Sequence, residues 1–399
     1  MKLFYVLLFI TLPQLVVAQV DEQKNIDAML ARLSKKTDAS DRINLLDSIA
    51  FSYKTVNPDL GIKYAREELE LAVKINWKTG IAMANASLGF NYQYKSDYPE
   101  ALEYFYVALG INEKNGNQYN IGSNSNNIGS IYQAQNNLPK ALEFYFKALK
   151  IDQDVHNLSG KGGDMGNIGT VYMSQKKYPE ALQYDLQSLA IFRKIGDSDG
   201  VAHNLGNIGN VYNEMGSFSE ALNYDMQALS IFQAEGDKGG VALNLGNIGT
   251  VYAYIARDSV EGNKHGNLIA ADKRACLEKS VEYLEKSIAI SKELGQFDNI
   301  MEFSHTLSET YSLLGNYKSA LESYKQYTEA KDSVFSNEDK LKIAQLGIQR
   351  EIEVRNKQAQ IDQLGVIHKR YRDEVYLLFI AIALLLLGIV LKRIFPRVL

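Results

Sequence analysis

Gly89, Gly129, Gly169, Gly209 and Gly249 recur every 40 residues, and each is followed three places later by a tyrosine: Tyr92, Tyr132, Tyr172, Tyr212 and Tyr252. A second register runs beside the first. Ala101, Ala141, Ala181 and Ala221 each have an aromatic three places on (Tyr104, Phe144, Tyr184, Tyr224). Self-similarity at such a period marks a solenoid, whose units stack because none can bury its apolar face alone. A chain built this way is a surface for holding partners before it is a site for chemistry.

One unit shows the pattern. Ile168, Val171 and Tyr172 recur at helical spacing, a polar link follows, and Leu182, Leu186, Leu189 and Ala190 recur in the same way. Pro99, Pro139 and Pro179 share one place, and Pro58 precedes the matching segment of an earlier unit. Proline at the first turn of a helix gives up no hydrogen bond, because that N–H has no intrahelical partner. Four of the six prolines therefore mark the start of a second helix. Gly169 and Ala181 let the two helices approach, with Tyr172 and Tyr184 filling the space around the contact. Glycines beside Asn or Asp (Asn115-Gly116-Asn117, Gly196-Asp197, Gly236-Asp237) suit helix C-caps between units.

The small–aromatic pairs and the proline before the second helix resemble the tetratricopeptide repeat, and the 40-residue period resembles the subtype found in kinesin light chains. The resemblance implies an all-α, right-handed α-solenoid of about seven helix pairs, followed by a long helix or coiled coil and one transmembrane helix. Residues 43–334 hold the array, with units near 43–79, 82–119, 121–159, 162–199, 201–239, 241–297 and 300–334. The first has Ala50 and Gly61 at its small places, and the seventh replaces the glycine by Ser308 but keeps Tyr311 and Ala320. Residues 19–42 are expected to supply a polar capping helix. Gly249 and Ser308 stand 59 residues apart, which places an insertion at about 256–276.

Both ends point to a membrane. Lys2 precedes a largely apolar run, Leu3 to Ala18, with small residues before Gln19, so residues 1–18 read as a secretory signal peptide. Val375 to Leu391 is an apolar run of 17 residues between Asp373-Glu374 and Lys392-Arg393, near the lower limit for crossing a bilayer. The basic tail, 392–399, places the C-terminus in the cytoplasm. Residues 335–374 read as a charged helical linker with Leu341, Leu346, Ile348, Ile352, Leu364 and Ile367 among charges. This order is similar to the input half of bacterial membrane receptors that carry a periplasmic repeat array. The resemblance implies a single-pass inner-membrane protein with its repeats in the periplasm. Only Lys392 to Leu399 follow the run, so no cytoplasmic output domain is expected on this chain.

In tetratricopeptide domains, the resemblance implies, the first helix of each unit lines a concave groove for a peptide or protein partner. Two places before the repeat glycines stand Asn127, Asn167, Asn207 and Asn247; one place after stand Ser130, Thr170, Asn210 and Thr250. A carboxamide offers two donors and an acceptor, which suits both backbone groups of an extended chain. Asn126, His203, Asn213 and Glu214 are further groove candidates. The alternative is that the asparagines hold the next repeat. No lysine or arginine in the middle units stands on this face to clamp a carboxylate, so a neutral, polar groove is expected.

Chemistry finds little support. The five histidines (His156, His203, His265, His305, His368) are scattered, and none is paired with a second metal ligand at the spacing of a His-Glu-x-x-His helix. Cys276 is the only cysteine, which excludes an intramolecular disulfide and leaves a metal site without thiolates. No phosphate loop is present. With a net charge of −4 and no basic block before the last few residues, nucleic acid is not an expected partner. The reading is a non-enzymatic, membrane-anchored scaffold with no cofactor and no metal. The alternative is a signalling receptor that pairs as a homodimer through 336–391.

Overall fold

The computed structural model describes residues 15–34, 38–258 and 273–333. Residues 1–14, 35–37, 259–272 and 334–399 lie outside the described residues, and with them most of the expected signal peptide and insertion and all of the expected linker, membrane run and tail. Among those described, no helix is long and apolar enough to cross a membrane.

The described residues form fifteen helices and no strand. α1 (Leu15–Leu33) precedes seven antiparallel pairs. These are α2 (Ala39–Val56) with α3 (Pro58–Lys74), α4 (Lys78–Tyr94) with α5 (Tyr98–Asn115), and α6 (Gln118–Ala134) with α7 (Leu138–Asp154). Then come α8 (Leu158–Ser174) with α9 (Tyr178–Ile195), α10 (Ser198–Glu214) with α11 (Phe218–Glu235), and α12 (Lys238–Asp258) with α13 (Lys273–Leu294). The last is α14 (Phe297–Leu313) with α15, residues 317–333. Each helix packs on the next, and the first helices of successive pairs also touch. The chain is thus an all-helical repeat solenoid.

Asp38 breaks the polar stretch before the array. Its side chain accepts a hydrogen bond from the Asp41 N–H and starts α2. α1 seals the exposed end of the core by burying Ile26 and Leu33 against Leu46, Ile49 and Tyr53. On either side of the insertion, α12 and α13 span 21 and 22 residues, where α10 and α11 span 17 and 18. Part of the inserted length is therefore added helix.

The proline and aromatic registers do what their chemistry dictates. Pro58, Pro99, Pro139 and Pro179 occupy the first or second helical place of α3, α5, α7 and α9. Rings stack in each of the first six pairs: Tyr53–Tyr64, Tyr92–Tyr104, Tyr132–Phe144, Tyr172–Tyr184, Tyr212–Tyr224 and Tyr252–Tyr283, with centroids 5.4–5.8 Å apart. Such pairs contribute roughly 0.5–1.5 kcal/mol beyond their buried area.

The repeat glycine meets a residue four places beyond the repeat alanine. A β-carbon on Gly89, Gly129, Gly169, Gly209 or Gly249 would stand 2.1–2.8 Å from Phe105, Tyr145, Asp185, Asp225 or Leu284 respectively. That contact is why a residue costly to a helix recurs here. Gly129→Ala adds helix propensity worth about 0.5–1 kcal/mol but drives its methyl into the fully buried Tyr145 ring, and overpacking costs about 1–3 kcal/mol. A net loss is expected. Gly163→Ala, where nothing lies within 4 Å, should gain about 0.5–1 kcal/mol instead. Urea midpoints of the two variants check the contrast; a Gly129→Ala protein as stable as wild type would refute the packing argument.

Candidate partner-binding face

Two residues along an α-helix turn the side chain by roughly 200°, so the asparagine two places before each repeat glycine points away from its own second helix. Asn127 on α6, Asn167 on α8, Asn207 on α10 and Asn247 on α12 accordingly fall in line, each half-buried. None makes a side-chain hydrogen bond among the described residues. The amide nitrogens of Asn127 and Asn247 are sealed from solvent and unpaired, so at those two places the donor end is turned inward.

The neighbouring strip is more occupied. Ser130 Oγ donates to the Asn127 carbonyl at 2.9 Å and accepts from Gln93 Nε2 at 3.0 Å, joining the second pair to the third. Thr170 and Thr250 donate to the carbonyls of Gly166 and Gly246 four residues back, at 3.1 and 3.0 Å. Asn210 and Asn213 are half-buried, and Asn213 Oδ1 is unpaired. Asn126 belongs to the fold rather than to a ligand, because its amide donates to Asp164 Oδ1 at 2.6 Å.

A buried polar register that the sequence reading passed over lies at the joints between repeats. Asn124, Asp164, Asn204 and Asn244 stand 40 residues apart, five places before the repeat glycines, and all are buried. Asn204 and Asn244 donate to the carbonyls of Gly200 and Gly240 at 2.8 and 3.0 Å. Across the joint, Asn204 closes on Gly166 and Asn244 on Gly206; a β-carbon there would lie 3.3–3.4 Å from the amide oxygen.

Coiling brings distant units together. A cavity of about 780 Å³ is bounded on one side by Ser96, Tyr98 and Ala134, and on the other by His203, Leu243, Asp237, Phe297 and Asp298. His203, a groove candidate, borders this cavity; the four asparagines do not. The cavity is acidic, in contrast to the neutral face that the repeat register describes. Asp237 reaches the space from the turn before α12 and Asp298 from the first turn of α14, both outside that helix face.

The expectation that no histidine has a second metal ligand at helical spacing is corrected. Asp199 stands four residues before His203 on α10, with Oδ1 3.5 Å from Nε2. Ligand atoms of Asp199, His203 and Asp237 lie within 4.8 Å of one another. Comparison with a His-Glu-x-x-His helix missed the pair because its first member is an aspartate; the third comes from the next turn.

Comparisons with known proteins agree with this architecture. A family profile described as "Tetratricopeptide repeat" matches residues 80–154 and 165–234, and a second of the same description matches 302–333. No curated protein matches the chain. Among solved structures, the APC/C hetero-tetramer Cut9-Hcn1 is similar at 14% identity and a TM-score of 0.54, over 81% of this chain and 55% of that one. The apo form of RapI is similar at 17% identity and a TM-score of 0.52, over 73% of this chain and 99% of that one. BtubC (BKLC) from P. vanneervenii matches at 18% identity and a TM-score of 0.47, over 60% and 93%. At these identities the likeness is one of fold. Tetratricopeptide-repeat profiles thus match three segments of the chain, and the described residues form an all-helical repeat solenoid.

Proposed function

We propose that the array is a non-enzymatic scaffold, anchored in the membrane by residues 375–391, that holds an extended segment of a peptide or protein partner along its inner face. The observation that carries this reading is the line Asn127, Asn167, Asn207 and Asn247. Four carboxamides recur at one register on successive helices, with no side-chain hydrogen bond holding them among the described residues. The amide oxygens of all four, and the nitrogens of Asn167 and Asn207, are neither sealed from solvent nor paired, which leaves them to the backbone groups of an extended ligand. The side chains packed at the joints are those of a separate buried register, in which Asp164 takes a hydrogen bond from Asn126 of the preceding unit and Asn204 and Asn244 lie against Gly166 and Gly206. Cut9-Hcn1 is a hetero-tetramer on a similar fold, which accords with a partner-holding array. The apolar run and the basic tail support an inner-membrane placement with the repeats on the periplasmic side.

The test is a crosslinking pull-down from intact membranes, comparing wild type with the triple replacement of Asn167, Asn207 and Asn247 by alanine. Partner recovery should fall at least tenfold while the helical circular-dichroism signal and melting stay close to wild type. Undiminished recovery from a folded triple variant would refute the assignment.

A further inference from the structure

We infer that Asp199, His203 and Asp237 form a binding site for a divalent first-row transition-metal ion of the zinc type, joining the fifth helix pair to the sixth. One imidazole and two carboxylates are a donor set suited to such ions. A tetrahedral ion with bonds of about 2.0–2.1 Å sets its donor atoms roughly 3.3–3.5 Å apart. His203 Nε2 and Asp199 Oδ1 already stand 3.5 Å apart, and all three donors fall within 4.8 Å, so a small inward movement of side chains completes the set.

Two of the donors are held by contacts of their own. The His203 ring lies edge-on to Phe232, with centroids 5.0 Å apart, and Phe232 is fully buried. Asp237 accepts the Gly239 N–H through Oδ1 at 2.9 Å, which fixes the carboxylate and leaves Oδ2 to an ion. Gly240 keeps that oxygen clear, since a β-carbon there would stand 2.6 Å from it. Positioning of this kind lowers the ordering cost of binding.

The site has a direction. His203 and Asp237 border the 780 Å³ cavity, so coordination positions that the protein leaves open face a space large enough for water or a donor from another molecule. Among the described residues the arrangement occurs at one joint. One unit earlier, the places of Asp199, His203 and Asp237 hold Ser159, Gly163 and Asp197; there the cap is kept and two donors are missing. An ion here would link α10 to the start of α12.

The test uses the purified full chain, stripped with chelator, and titrates Zn²⁺ by calorimetry and Co²⁺ by its ligand-field absorption. We expect one ion per chain, a Zn²⁺-dependent rise in melting temperature, and at least a tenfold weakening with His203→Ala or with Asp237→Asn. Asparagine already caps the equivalent turns at Asn117 and Asn157, so Asp237→Asn removes a ligand charge and leaves the fold intact. Asp197→Asn, which alters the same cap one unit away, should leave affinity unchanged. The absence of saturable binding to wild type, or binding that survives both His203→Ala and Asp237→Asn, overturns the proposal.

Discussion

Between pH 4.5 and pH 8 the array should lose several kcal/mol of stability, and replacing Asp185 and Asp225 by asparagine should remove much of that loss. Both carboxyls are fully buried, and neither oxygen of either residue has a hydrogen-bond partner. Burial alone pushes each to about 8, because an ionised carboxylate there has lost its water and found no substitute. In the unfolded chain the same groups titrate near 3.9. The folded state therefore holds these protons to higher pH. The stability they permit is fully present below about pH 4, drains as the unfolded chain ionises, and is gone once the folded state ionises near pH 8. Each unit of raised pKa corresponds to about 1.4 kcal/mol, so these two groups carry a substantial share of the profile. Asp164, raised to about 8 mainly by burial, and Glu68, raised to about 10 by burial and the Asp47 charge, keep a residual slope in the double variant. Thermal unfolding of wild type and the Asp185→Asn/Asp225→Asn protein at the two pH values decides it. Equal melting differences at both would show that the carboxyls are not held neutral.

Phe105→Ala should cost about 3–5 kcal/mol, the usual range for deleting a buried phenylalanine ring. The ring is fully buried, lies against Gly89, and meets Phe90 edge-on with centroids 5.2 Å apart. Gly89 makes the cavity hard to refill, since it offers no side chain to relax into the space. Stability in a solenoid is a sum of units and nearest-neighbour joints, so the damage should be local. Hydrogen exchange should quicken in α4 to α6 and change little in α10 to α14. A single cooperative loss across all helices would contradict the nearest-neighbour picture.

Much of the fold was legible because the small–aromatic spacing, the proline place and the glycine turns report one geometry three times over. What escaped was polar. A search for helical periodicity counts apolar residues, so Asn124, Asp164, Asn204 and Asn244 went unread although they share the 40-residue spacing of the glycines. The partner of the repeat glycine was also missed, because the place four beyond the repeat alanine changes chemistry from Phe105 and Tyr145 to Asp185 and Asp225. What the place keeps from unit to unit is its contact with the repeat glycine, made by side chains of different size and chemistry. Asp237 was invisible as a neighbour of His203 for another reason: no residue pattern within one unit says which turn of the next unit will reach the same cavity.

The cavity between the second and third pairs on one side and the fifth to seventh on the other has a mechanical meaning. Successive helix pairs touch only their neighbours, so the array is a coil spring whose pitch is set by many small, independent joints. The two walls of the cavity lie on separate arcs of that coil. Any molecule that grips both walls resists every joint between them at once, and stiffens by its presence a stretch of chain far longer than the surface it touches.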